Sequence, residues 1–143
     1  MSAPSMSMIY LEDMENIALG GAFLGTGGGG DPYIGKLMAR QAIAANGPVK
    51  VIDVETLPDD ALVVPVAMMG APTVMLEKLP QGGEALSALQ SLQNYLGRKA
   101  DAVFCIEAGG LNSTIPIAVA ASAGLPIIDG DGMGRAFPEL QMV

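Results

Sequence analysis

Three short stretches of this chain gather residues able to do chemistry. The first is Glu107-Ala-Gly-Gly-Leu-Asn-Ser-Thr, where Glu107, Asn112 and Ser113 put a carboxylate, an amide and a hydroxyl on one glycine-flexed loop. That mixture suits recognition of a polar small molecule. The second is Asp129-Gly-Asp-Gly-Met-Gly-Arg-Ala-Phe-Pro-Glu. Asp129 and Asp131 are two apart, so extended backbone would point both the same way. Two such carboxylates could hold a hard cation or share a proton, with Arg135 balancing their charge. The third is Gly25-Thr-Gly-Gly-Gly-Gly-Asp-Pro. Main-chain N–H groups of Gly27, Gly28, Gly29 and Gly30 at the start of a helix could meet an acceptor, while Asp31 repels an anion. A neutral ligand bearing both acceptors and N–H donors, such as a cyclic amide or thioamide, fits that pairing.

Each stretch also has a plainer reading, and both stay open at this level. Asn112 or Ser113 could cap a helix. The two aspartates could form Asx turns, and the glycine run could be a tight turn between helices with Asp31 as its cap. Gly25, Gly27 and Gly30 formally match the dinucleotide fingerprint, which needs a strand before the loop. The preceding residues look helical. A P-loop is excluded, because Gly30 is followed by Asp-Pro.

The chain contains no His, so neither the usual general base nor a Cys/His zinc site can come from it. Carboxylates are then the candidate bases: Glu107, Asp129 and Asp131. Cys105 has no obvious base beside it and reads as a buried strand residue. A divalent metal remains open, with Asp129 and Asp131 as its ligands here and its other ligands outside this chain.

Composition sets wider limits. The formal net charge is −8 with seven basic residues, which argues against nucleic acid and against an anionic membrane surface. The longest uncharged run, 108–128, is broken by Gly, Pro, Asn and Ser and does not read as a membrane span. Residues 1–8 lack the basic start and apolar core of a signal peptide. One Cys cannot form an internal disulfide, so a cytoplasmic location is expected. With three Phe, three Tyr and no Trp, the core must be aliphatic.

The elements that would position these loops follow from periodicity and punctuation. Helices are expected at Leu11–Leu24, from Pro32 to about Asn46, at Glu84–Leu96 and at Ser113–Ala123. Strands are expected at Val49–Val54, Ala61–Met68, Ala102–Ile106 and Pro126–Ile128. Pro65 inside the second strand predicts an edge position or a bulge. The order predicts an α/β fold with a mixed, partly parallel sheet flanked by helices. Glu107 and Asp129 would then lie beyond the carboxyl ends of strands, where ligands sit in such sheets. The apolar ending Glu139-Leu-Gln-Met-Val predicts one α/β domain over 1–143, cut short at its C-terminal end.

Taken together, Gly25-Thr-Gly-Gly-Gly-Gly-Asp-Pro-Tyr, Met68-Met-Gly-Ala-Pro-Thr-Val, Glu107-Ala-Gly-Gly-Leu-Asn-Ser and Asp129-Gly-Asp-Gly-Met-Gly-Arg-Ala-Phe-Pro-Glu resemble the N-terminal domain of the S-methyl-thiohydantoin desulfurase family. The resemblance covers nearly the whole chain. It implies hydrolytic removal of sulfur from a thiohydantoin ring, a β-rich C-terminal domain, and association with hydantoinase/oxoprolinase-type proteins. The leading expectation is therefore a hydrolase acting on a thiohydantoin or related cyclic amide, with Glu107, Asp129 or Asp131 as base. The glycine loop, Asp31, Asn112, Ser113 and Arg135 would bind substrate. Two alternatives stand beside it: a non-catalytic module presenting substrate to a hydantoinase/oxoprolinase partner, and a Rossmann-type oxidoreductase. Assembly as a homo-oligomer is left open.

Overall fold

A computed structural model describes residues 7–143. The leader reading of the first residues falls, for 1–6, outside the described residues. The fold is α/β: a five-stranded sheet in the order β1-β2-β5-β4-β3, flanked by helices. The strands are β1 (Met8–Ile9), β2 (Val49–Ile52), β3 (Val63–Val66), β4 (Ala102–Cys105) and β5 (Ile127–Asp131). β1 runs antiparallel to β2, and the other pairings are parallel, so the sheet is mixed as expected.

β3 is the sheet edge, which accounts for Pro65. A residue without an N–H cannot serve two neighbours, and Pro65 has only Phe104 of β4 across from it. β5 runs further than expected, through Asp131. Cys105 pairs with Asp131 after a register shift, and that pairing carries the strand past the glycine. β1 was not foreseen, since two residues carry no periodicity. The Ser7 carbonyl accepts from Val51 N–H at 2.9 Å.

The helices are α1 (Met14–Gly25), α2 (Pro32–Asn46), α3 (Pro72–Glu77), α4 (Glu84–Leu96) and α5 (Ile115–Ala123). The start of α2 follows its sequence signature. Asp31 accepts from Tyr33 N–H at 2.8 Å, and Pro32 occupies the first turn. Leu11–Asp13, expected within the first helix, forms a 3-10 turn instead, with the Asp13 carboxylate accepting from Tyr10 N–H at 2.8 Å. α4 and α5 end at glycines, Gly97 and Gly124, with φ of 64° and 66°.

α5 is the central helix. Ile115 to Ala121 are all buried, and the helix touches strands β2 to β5 on one side and α2 and α4 elsewhere. A helix apolar all round is a buried helix. Ile115, Ile117 and Val119 each contribute about 1.5–3 kcal/mol by leaving water. α2 packs on α5 so closely that a β-carbon at Gly35 would collide with Thr114 Oγ1. This contact fixes the start of α5, and hence the loop before it, against α2. Among the described residues, no helix is long and apolar enough to cross a membrane.

Candidate functional site

β3 and β4 are parallel neighbours, so their carboxyl ends open at the same edge of the sheet. A cleft of about 720 Å³ lies there, within the usual range for small-molecule sites. Its walls are Gly28–Gly30, the strip Met68–Ala71 with Val74 and Met75 of α3, the loop after β4 with Glu107, Leu111 and Asn112, and Arg135–Glu139.

Glu107 is the chemically distinctive group in this cleft. It is 4% exposed. Its Oε1 accepts from Asn112 Nδ2 at 2.7 Å, whereas the buried Oε2 has no hydrogen-bond partner among the described residues. Buried carboxylate oxygens are nearly always paired, because an unpaired one forfeits its hydration. Oε2 is thus an acceptor, in a residue that lines the cleft, that no group among the described residues satisfies.

Asn112 is held on three sides. Its Oδ1 accepts from Met68 N–H at 2.8 Å, and its Nδ2 donates to Met68 O at 3.1 Å as well as to Glu107. Both amide hydrogens are thus spent within the protein.

The glycine loop joins α1 to α2, so the strand that a dinucleotide fingerprint requires is replaced by a helix. The need for glycine comes instead from backbone-to-backbone contact with the loop after β4. Gly29 O accepts from Leu111 N–H at 2.6 Å and from Asn112 N–H at 3.3 Å. Gly29 has φ +73°, and a β-carbon there would lie 2.5 Å from the Gly109 Cα. The N–H groups of Gly29 and Gly30 donate to no backbone carbonyl outside the regular elements among the described residues.

The three stretches singled out in the sequence thus meet at one cleft, each through part of its length. Gly28, Gly29, Gly30, Glu107, Asn112 and Arg135 line it, and Gly27, Asp31, Ser113, Asp129 and Asp131 do not. Asp31 caps α2. The Ser113 N–H donates to Gly109 O at 2.9 Å, and its side chain lies against Gly21 of α1. Asp129 is exposed on β5. Asp131 accepts from Ala108 N–H at 2.8 Å and, through both oxygens, from Gly134 N–H at 2.9 Å. Among the described residues, no three His, Cys, Asp or Glu side chains cluster as metal ligands. Arg135 donates through Nε to Ala136 O at 3.2 Å and makes no salt bridge among the described residues.

Cys105 is a half-buried thiol on β4. It donates to Glu107 O at 2.6 Å and Asn112 O at 3.1 Å. Burial pushes the thiol up to about 12; a backbone hydrogen bond at Glu107 opposes this, and the nearby Asp131 and Glu107 charges add to it. A thiol so reluctant to ionise makes a poor nucleophile.

Sequence reasoning missed the wall formed by Met68–Ala71, Met75 and Phe137 as cleft lining. The available signal was Gly70-Ala-Pro directly after an apolar strand, a break at a carboxyl end.

Residues 12–143 match the family described as S-Me-THD-like, N-terminal domain. The chain belongs to this family. A crystal structure of a protein from Chromobacterium violaceum is similar to this S-Me-THD-like domain, with a TM-score of 0.71 and 33% identity over 96% of the present chain. The chain spans 38% of that protein. No curated protein matches.

Proposed function

We propose that this S-Me-THD-like domain supplies the substrate cleft of a hydrolase acting on a thiohydantoin or related five-membered cyclic amide. The single observation that carries the reading is Glu107, a cleft-lining residue whose buried Oε2 has no hydrogen-bond partner among the described residues. In this reading Glu107 takes a proton from a water molecule, and the water oxygen bonds to the ring carbon bearing sulfur. The carbon–sulfur bond then breaks, and the thiol departs with the proton returned by Glu107. The ring keeps a carbonyl in place of the sulfur. The N–H groups of Gly29 and Gly30, which donate to no backbone carbonyl among the described residues, are the donors for charge developing on the ring. Arg135 contacts an acceptor at the rim, and Met68, Met75, Leu111 and Phe137 give the ring an apolar seat.

The deciding experiment incubates the native protein with an S-methyl-thiohydantoin and follows released thiol alongside binding of the ring. Stoichiometric binding with turnover is the expected result. Binding without turnover would favour the substrate-presenting module that works with a hydantoinase/oxoprolinase-type partner. Absence of both would overturn the proposal.

A further inference from the structure

We infer that Asn112 is a positioning residue: it holds the Glu107 carboxylate so that Oε2 is the oxygen left for the cleft, and it couples that carboxylate to the Met68 wall. The assignment deepens the reading of Glu107 as the working carboxylate, but its geometry does not depend on which ligand binds.

Asn112 lines the cleft and is 5% exposed. A buried cleft amide would ordinarily suggest substrate contact, yet its hydrogen bonds run elsewhere. One edge of the planar amide engages both main-chain groups of Met68, at 2.8 and 3.1 Å, as a neighbouring strand would. The second Nδ2 hydrogen goes to Glu107 Oε1 at 2.7 Å. A planar group gripped at both ends has little freedom to rotate, so the carboxylate plane is set by the position of Met68. The other end of the site is fixed by the main chain, since Gly29 O receives the Asn112 N–H at 3.3 Å. One residue therefore ties together the glycine loop, the end of β3 and Glu107.

Removing a hydrogen bond donated to a charged carboxylate favours its protonated form. The other titratable or charged groups near Glu107 are Asp131 and the neutral Cys105 thiol, with Arg135 and Glu139 also lining the cleft. All of these remain in an Asn112 variant. The test is a carbon-13 NMR titration of the Glu107 carboxyl, its resonance identified by its loss in Glu107→Gln. Asn112→Ala should move the Glu107 midpoint upward by roughly one pH unit or more. It should also speed amide exchange at Met68. Asn112→Asp keeps the shape and serves if the alanine variant does not fold. It puts a second carboxylate against Oε1, and the midpoint should rise further because the pair shares a proton. Leu89→Ala, in the core on α4, controls for lost stability and should leave the midpoint in place. An unshifted midpoint in the Asn112 variants, or an equal shift in Leu89→Ala, would overturn the assignment. The titration needs no substrate, so a protein that hydrolyses no thiohydantoin still decides it.

Discussion

The peptide N–H of Leu111 donates to the carbonyl of Gly29 at 2.6 Å, joining two glycine-rich loops that lie far apart in sequence. The glycine run is therefore a packing requirement before it is a binding feature. Gly29→Ala would place a β-carbon 2.5 Å from the Gly109 Cα at a φ of +73°, and should cost about 2 kcal/mol or more. Gly27 has φ +92° with nothing within 4 Å of a β-carbon. Gly27→Ala should cost about 1 kcal/mol, from backbone strain alone. Urea denaturation of the two variants checks the ordering, and equal losses would show that the loops do not depend on this contact.

Asp129 and Asp131 look equivalent in sequence but differ in the fold. Asp131 is a hydrogen-bond acceptor for Ala108 and Gly134, while Asp129 is exposed. Asp131→Ala should destabilise by about 1–3 kcal/mol because it strips acceptors from two backbone N–H groups. Asp129→Ala should fall within about 0.5 kcal/mol of wild type. Thermal melts of both variants test this. If Asp129 instead proves essential to turnover with stability unchanged, the chemistry extends to β5.

Cys105 gives a prediction with a definite sign. Its thiol is raised to about 12 by burial, against about 8.5 for an unfolded cysteine. Below about 8.5 both states hold the proton and the group is neutral to stability. As pH rises between those two values the unfolded chain ionises first, so stability contributed by this group falls with pH. Iodoacetamide at pH 8 should therefore modify the folded protein far more slowly than the urea-unfolded chain. Equal rates would show that the thiol is neither buried nor held by Glu107 and Asn112.

Much of the fold could be read from local signals that the structure leaves unopposed. Asp31-Pro32 starts α2, Gly97 and Gly124 stop α4 and α5, and Pro65 marks the edge strand. β1 and α3 escaped because two and six residues are too few to display a period. At the site, Glu107 could be singled out as a carboxylate directly after a strand, and the structure places it in the cleft lining. The sequence could not distinguish Asn112 from a substrate ligand, since its partner Met68 lies 44 residues away. Nor could it separate Asp131 from Asp129, because the Ala108 amide that donates to Asp131 comes from a loop 23 residues away.

The most direct test of Glu107 as the base compares Glu107→Gln with the wild-type protein in S-methyl-thiohydantoin hydrolysis. Gln keeps the shape and the Asn112 contact but cannot accept a proton from water. The expected result is a fall in kcat of about 10²–10⁴, the usual worth of a general base. The melting temperature should equal or exceed that of wild type, since a neutral amide replaces a buried carboxyl that lacks one partner. Wild-type turnover in Glu107→Gln would contradict a general-base role for Glu107 and place the proton transfer on another group.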